Sequence, residues 1–197
     1  MNSTGDEWTA AGRLIGCLGA GGAAPVTQLA EGLHGPSIAV FSHDYTYRYL
    51  LTRRWEPGPV MTWVMLNPST ADAGTDDATI ARCWRRAAAD RFGSIAVVNL
   101  FALVATDPAA LRTHPDPAGP GNDAALRAFC QPGDTVVAAW GALTGLRQGR
   151  SRAAAVTWAL AEARVSPLCL GTTKGGQPKH PGRLAYSIPL VPWSQHD

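Results

Sequence analysis

Polar residues able to handle a nucleobase and its sugar phosphate follow four apolar runs in this chain. Asn67-Pro68-Ser69 follows the run at 60–66, and Asn99 and Phe101 close the run at 94–101. Trp140-Gly141 ends the run at 135–140. Thr172-Thr173-Lys174 and Gln177, then His180-Pro181-Gly182-Arg183-Leu184, follow the run at 166–170. An asparagine carboxamide reads a base edge through its paired donor and acceptor, or holds a water. Phe101 and Trp140 offer faces on which a planar ring could stack. A neutral His180 can donate to an oxygen on which negative charge develops. Lys174 and Arg183 suit phosphate. The set fits a nucleobase leaving a sugar.

Other chemistries find less support. Ser69 lacks the strand-to-helix elbow of a hydrolase nucleophile. Gly141-Ala142-Leu143-Thr144-Gly145 has the wrong spacing for a phosphate or dinucleotide loop. Cys17, Cys83, Cys130 and Cys169 are scattered without metal-ligand spacing, so neither a metal nor a cofactor is expected. Cys83 and Cys169 lie in apolar contexts that suit buried, reduced thiols.

Regular elements must position these residues. The apolar run at 60–66 reads as a strand buried on both faces. The acids Asp76 and Asp77 suit the start of a helix reaching Asp90, with Arg82, Arg85 and Arg86 further along it. Strands are predicted at 94–101, 135–140 and 166–170, and helices at 122–130 and 152–164. A long loop precedes the 122–130 helix. Strand and helix alternate, which implies right-handed crossovers. The expected architecture is an α/β fold of three layers, α/β/α, around a mostly parallel four-stranded sheet. Such sheets place ligands outside the C-terminal ends of their strands.

Upstream, 37–42 and 45–52 read as an antiparallel hairpin, with Tyr45, Tyr47 and Tyr49 alternating onto one face. Residues 1–35 read as an appendage of two short helices, 6–18 and 26–33, joined by a loop at Gly19-Ala20-Gly21-Gly22. Residues 36–197 form the single α/β domain.

Composition sets the outer limits. With 46% hydrophobic and 16% charged residues in 197, the chain supports one folded core and is not disordered. A net charge of +2 neither demands a nucleic-acid partner nor excludes one, because a local basic patch suffices. No apolar run is long enough for a membrane span, and the N-terminus lacks a signal layout. A cytoplasmic location with no obligate protein partner is the expectation.

Leu66-Asn67-Pro68-Ser69 after a buried strand resembles the first active-site motif of the uracil-DNA glycosylase superfamily. Val98-Asn99-Leu100-Phe101 lies where that superfamily carries a base-reading residue. Ala139-Trp140-Gly141 is similar to its Leu-Trp-Gly strand, and His180-Pro181-Gly182-Arg183-Leu184 to its second active-site motif. Asn67 stands where the most active uracil enzymes have Asp, and Gly182-Arg183 replaces a Ser-Pro pair. The fuller string also resembles a bacterial and phage domain family of unknown function. Its marks are Leu66 to Asp72, Asp76-Asp77, Thr79-Ile80, Asn99-Leu100-Phe101, Gly119-Pro120, Asn122-Asp123, and Gly171, Thr173 and Lys174.

The resemblance implies cleavage of an N-glycosidic bond, most naturally at a modified or damaged base in DNA. Asn67 would hold the attacking water, His180 would steady the departing base, and Asp72 would be the acidic partner. Pro68, Ser69, Asn99, Phe101, Trp140, Thr173, Lys174 and Arg183 would contact the substrate. Two alternatives stay open: a glycosidase acting on free nucleotides, and an inactive nucleotide- or DNA-binding module.

Overall fold

The computed structural model describes residues 6–20, 23–32 and 35–194. Helix α1 (Asp6–Ala20) leads into strand β1 (Val26–Gly32), β2 (Gly35–Phe41) and β3 (Arg48–Arg54). The alternating part follows as β4 (Val60–Met65), α2 (Ala78–Ala89), β5 (Ser94–Asn99), α3 (Ala110–Thr113) and α4 (Asn122–Phe129). It continues through β6 (Thr135–Ala138), α5 (Gly149–Glu162) and β7 (Leu168–Cys169) to β8 (Val191–Pro192).

The result is a mixed α/β fold with five helices among the described residues and one eight-stranded sheet, ordered β1-β2-β3-β5-β4-β6-β7-β8. The four strands expected from the apolar runs form its parallel centre, β5-β4-β6-β7. The sheet is twice as wide as expected because antiparallel strands extend both edges. β1, β2 and β3 join beside β5, and β8 joins beside β7.

Two apolar cores lie on opposite faces. One packs α1, α4 and α5 through Leu14, Ala125, Phe129, Ala153 and Val156 against Val64, Ala96 and Val98. The other packs α2, through Ile80, Cys83 and Ala87, against Met61, Trp63, Ile95 and Val97. β4 thus alternates Trp63 to one core and Val64 to the other, the period of two that an apolar run buried on both faces permits. Cys83, Cys130 and Cys169 are free and buried. Burial pushes the Cys83 and Cys130 thiols well above their usual range.

The N-terminal segment departs from expectation. Residues 26–32, read as helical, form an edge strand that pairs in register with β2 from Val26↔Phe41 to Gly32↔Gly35. Helical periodicity and a half-buried edge strand cannot be separated over so short a run, and the free edge of β2 decides. Leu33 lies outside the described residues. Ala10, Ala11 and Leu14 are buried, so α1 is packed into the core instead of standing beside it. Gly19 and Ala20 belong to α1, and Gly21 and Gly22 lie outside the described residues.

The hairpin at 35–54 forms as expected, but Tyr45 takes φ 60° in the turn and packs on Phe41 at 5.2 Å. Tyr47 and Tyr49 stack at 6.2 Å on the opposite face, so the three tyrosines do not share one surface.

Helix α2 starts and stops where its sequence says it should. Asp77 is the N-cap, its Oδ1 accepting from the Thr79 and Ile80 amides at 2.8 and 2.9 Å, and Asp90 is the C-cap. Replacing Asp77 by Ala orphans both amides. The expected loss is about 1 kcal/mol in urea unfolding, with Asp77→Asn retaining most of the stability. An unchanged midpoint for Asp77→Ala would contradict the capping assignment.

Candidate functional site

The strand order creates a crevice. β4 runs through α2 to β5 on one side, whereas β5 returns over the opposite face, through α3 and α4, to β6 on the other. Connections leaving β4 and β6 therefore diverge, and the C-terminal ends of these two strands form a topological switch point. Asn67 follows β4 there, and Trp140-Gly141 follows β6.

The loop after β4 is held from beneath by two arginines of β3. Arg53, only 4% exposed, uses all five of its N–H donors. Nε meets Asp76 Oδ1 at 2.7 Å, and Nη2 meets the Asp72 and Thr75 carbonyls at 2.6 and 3.0 Å. Nη1 donates to Ser37 Oγ and to the Thr52 carbonyl. Arg48, equally buried, donates from Nη1 to the Ala71 carbonyl, while its Nε has no partner among the described residues. Burial lowers its pKa to about 10, opposed by the Asp77 and Asp72 carboxylates.

All three acids of this stretch thus carry local duties. Asp76 pairs with Arg53, Asp77 caps α2, and Asp72 Oδ1 accepts from the Gly74 and Thr75 amides at 2.9 and 2.8 Å. The acidic partner assigned to Asp72 from sequence keeps only Oδ2 outside that turn.

Asn67 is half-buried, and its amide is oriented by its partners. Both hydrogens of Nδ2 are committed, to the Pro68 carbonyl at 2.9 Å and the Ala105 carbonyl at 2.8 Å. Two carbonyl acceptors assign this atom as nitrogen, and Oδ1 remains to accept. The Ala105 amide returns a bond to the buried Pro68 carbonyl at 2.9 Å, so the loops after β4 and β5 are fastened together. Ser69 beside them is half-buried.

Asn99 lies next to Met65 in the β4–β5 register and is 1% exposed, its Nδ2 unpaired among the described residues. A buried amide donor without a partner invites a water or a ligand carbonyl. The end of β5 is anchored from α4 and α5. Asn122 Nδ2 donates to the Asn99 and Leu100 carbonyls at 3.0 and 2.9 Å, and Arg152 Nε donates to the Leu100 carbonyl at 2.7 Å.

Two expected stacking faces are not available. Phe101, 2% exposed, belongs to the α4–α5 core, and Trp140, 1% exposed, packs edge-on to Trp193 at 5.0 Å. Trp140 also donates from Nε1 to Gln177 Oε1 at 2.8 Å. Their large apolar area wins them places in the core, which is where aromatic rings contribute most to stability.

The histidine loop reaches the crevice because α2 holds it. Arg82 donates to the Pro181 and Leu184 carbonyls, and Arg86 to the Ala185, Tyr186 and Ile188 carbonyls. Both guanidiniums also lie over the Tyr186 ring, at 4.8 and 5.9 Å. Sequence reading placed these arginines only as late helix residues. Their spacing of four was the signal that they share one face.

His180 stands exposed at the rim, with Gly141 behind its Cβ and Gly182 beside Nδ1. A Cβ added at Gly141 would meet the His180 Cβ at 3.2 Å, and one at Gly182 would meet Nδ1 at 2.9 Å. The Gly182 amide donates to His180 Nδ1 at 3.0 Å, so the neutral ring carries its hydrogen on Nε2. Burial holds the imidazole pKa below its ordinary value, against the opposing pull of Asp77. Arg183 follows, exposed, in the short turn Pro181–Arg183.

Thr173 and Lys174 sit elsewhere on the same edge. They line an open groove of about 630 Å³ with the loop after β6. The structure therefore sets Asn67 after β4 and His180 against Gly141 after β6, buries Asn99 at the end of β5, ties Asp72 to Arg53 of β3, and gives Thr173 and Lys174 to a neighbouring groove. Among the described residues no three His, Cys, Asp or Glu side chains group as a metal site, and no helix is long and apolar enough to cross a membrane.

Residues 48–182 match the family described as "Protein of unknown function (DUF1643)", and the chain belongs to that family. The match opens at Arg48 and closes at Gly182, so it contains both arginines under the β4 loop and His180 itself. No curated protein and no solved structure matches the chain.

Two outcomes are expected. Arg53→Met leaves Asp76 and the Asp72 and Thr75 carbonyls without their buried donor, and should cost about 3 kcal/mol or more in urea unfolding. A loss below about 1 kcal/mol would contradict the clamp. For His180, a pKa depressed in the folded state means that the unfolded chain binds more protons between that pKa and 6.5. Stability contributed by the neutral ring is whole above 6.5 and declines as the pH falls toward the folded pKa. Imidazole titration by NMR should place His180 below 6.5, and His180→Asn should remove that part of the pH dependence. A titration at or above 6.5 would contradict the burial argument.

Proposed function

We propose that this member of the DUF1643 family hydrolyses an N-glycosidic bond and releases a nucleobase, with a modified or damaged base in DNA as substrate. The finer architecture in this reading is the three-layer sandwich of the uracil-DNA glycosylase superfamily, which the motifs of the sequence resemble. The observation that carries the reading is a pair of side chains with their polarity already set. Asn67 has only Oδ1 left to accept, and His180 has Nε2–H left to donate, on either side of the β4–β6 switch point.

Water held by Asn67 Oδ1 attacks the anomeric carbon as the bond from that carbon to the base nitrogen breaks. The bonding electrons leave with the base, and charge grows on its carbonyl oxygen. A hydrogen bond from His180 Nε2 stabilises that oxygen, most effectively from a neutral donor whose orientation is already fixed. The water proton passes to solvent and the base anion takes one up, so the products are the free base and a sugar hydroxyl. The unpaired amide of Asn99 supplies a donor for a base carbonyl, and with Phe101 and Trp140 in the core, recognition falls to such hydrogen bonds. Pro68 and Ser69 shape the crevice wall, and Arg183 lies outside it for phosphate.

The test is release of free base, followed by mass spectrometry, from oligonucleotides carrying uracil, hypoxanthine, xanthine or hypermodified pyrimidines, beside a panel of free nucleotides. Asn67→Ala and His180→Ala should each reduce release about a hundredfold. Full activity in both would sink the assignment of the site. Release from free nucleotides alone would transfer the reading to a nucleotide glycosidase, and no release from any substrate would leave a binding module.

A further inference from the structure

We infer that the groove between the loop after β6 and the loop after β7 is a track for the phosphates of a nucleic-acid strand. Arg147, just before α5, and Arg150, in its first turn, enter it from one side, and Lys174 lines it from the β7 loop. None of the three makes a hydrogen bond or ion pair through its side chain to another described residue, whereas the arginines that hold the fold, Arg53, Arg82, Arg86 and Arg152, are all engaged. No carboxylate lines the groove, and Thr144, Thr173 and Gln177 add neutral polar groups. Arg112 reaches the rim, its Nη1 lying 3.6 Å from where a Gly145 Cβ would stand.

A chain with a net charge of only +2 has gathered uncompensated cations in one concave strip, and like charges so placed repel unless a polyanion neutralises them. The turn that carries Lys174 is built. Thr172 bridges Pro178, and the Thr173 amide donates to the Gln177 carbonyl at 2.8 Å.

The groove also leads somewhere. Gln177 on its wall accepts from Trp140, the Gly141 amide donates to the Pro178 carbonyl at 2.9 Å, and Gly141 abuts His180. A strand lying along Arg150, Lys174 and Arg147 would therefore deliver a neighbouring nucleotide to the His180 rim. A single phosphate would engage part of the strip; the spread of cations over two loops fits several. That direction of travel rests on the proposed base release; the phosphate track itself does not.

The experiment is fluorescence anisotropy of a short labelled single-stranded oligodeoxynucleotide, across a salt series, with an unlabelled deoxynucleoside monophosphate as competitor. Proteins are the full chain, the triple variant Arg147→Ala/Arg150→Ala/Lys174→Ala, and a control Arg13→Ala on α1. All three groove residues are exposed, so the triple variant should melt as the parent does.

Binding should weaken about tenfold or more in the triple variant at low salt. Its slope of log affinity against log salt should fall by about 2, three contacts at about 0.7 each for a single strand. Arg13→Ala should bind as the parent does. Equal affinity and slope in the triple variant, no binding by the parent, or monophosphate competing as well as unlabelled oligonucleotide would each overturn the track. The parent chain separates the two readings, because oligonucleotide binding by it without base release from any substrate would end the glycosidase and leave the groove standing.

Discussion

A guanidinium buried under a loop can stay charged only if its donors are met, and that demand shapes this molecule around Arg53. Its five N–H groups reach Ser37 and Thr52 on β2 and β3, and Asp72, Thr75 and Asp76 on the loop after β4. The cation ties the antiparallel edge of the sheet to the loop that carries the crevice, and removing it would strand a carboxylate and several carbonyls in a poorly solvated place. The Asp72 and Thr75 carbonyls of that loop are thereby satisfied. Arg48 adds a second anchor at Ala71.

The same device recurs on the other wall. Arg82 and Arg86, one turn apart on α2, hold the carbonyls of the segment from Pro181 to Ile188, so one helix sets both the cap at Asp77 and the position of His180. Carbonyl clamps suit irregular segments, which bring acceptors but no regular ladder to satisfy them. With both walls fixed, Asn67 and His180 have their hydrogens already assigned. In the proposed reaction that arrangement would avoid reorganisation when charge develops.

Much of this was legible in the residues. The runs at 60–66, 94–101 and 135–140 are apolar without interruption and became the parallel centre, since strands buried on both faces have no polar side to alternate with. Asp77 and Asp90 marked the ends of α2, because capping is local chemistry. Residues 26–32 were misread, since their state depended on a free edge of β2 that no local window contains. Phe101 and Trp140 were expected as open faces, yet both rings lie in the core. Ring type reveals how much area could be buried, and only packing reveals whether it is.

By itself, the sequence determined the alternation of strand and helix, the caps of α2 and the polar residues that close each strand. These depend on neighbours within a few positions, through backbone hydrogen bonds and side-chain periodicity. Tertiary structure alone decided that β4 lies between β5 and β6, and hence that Asn67 and, through Gly141, His180, far apart in the chain, stand at neighbouring strand ends. It also decided that Asp72 and Asp76 serve the loop, and that Arg147, Arg150 and Lys174 share a groove. The reason is physical: a charge or an amide takes its role from the partners that burial brings to it, and those partners come from distant parts of the chain.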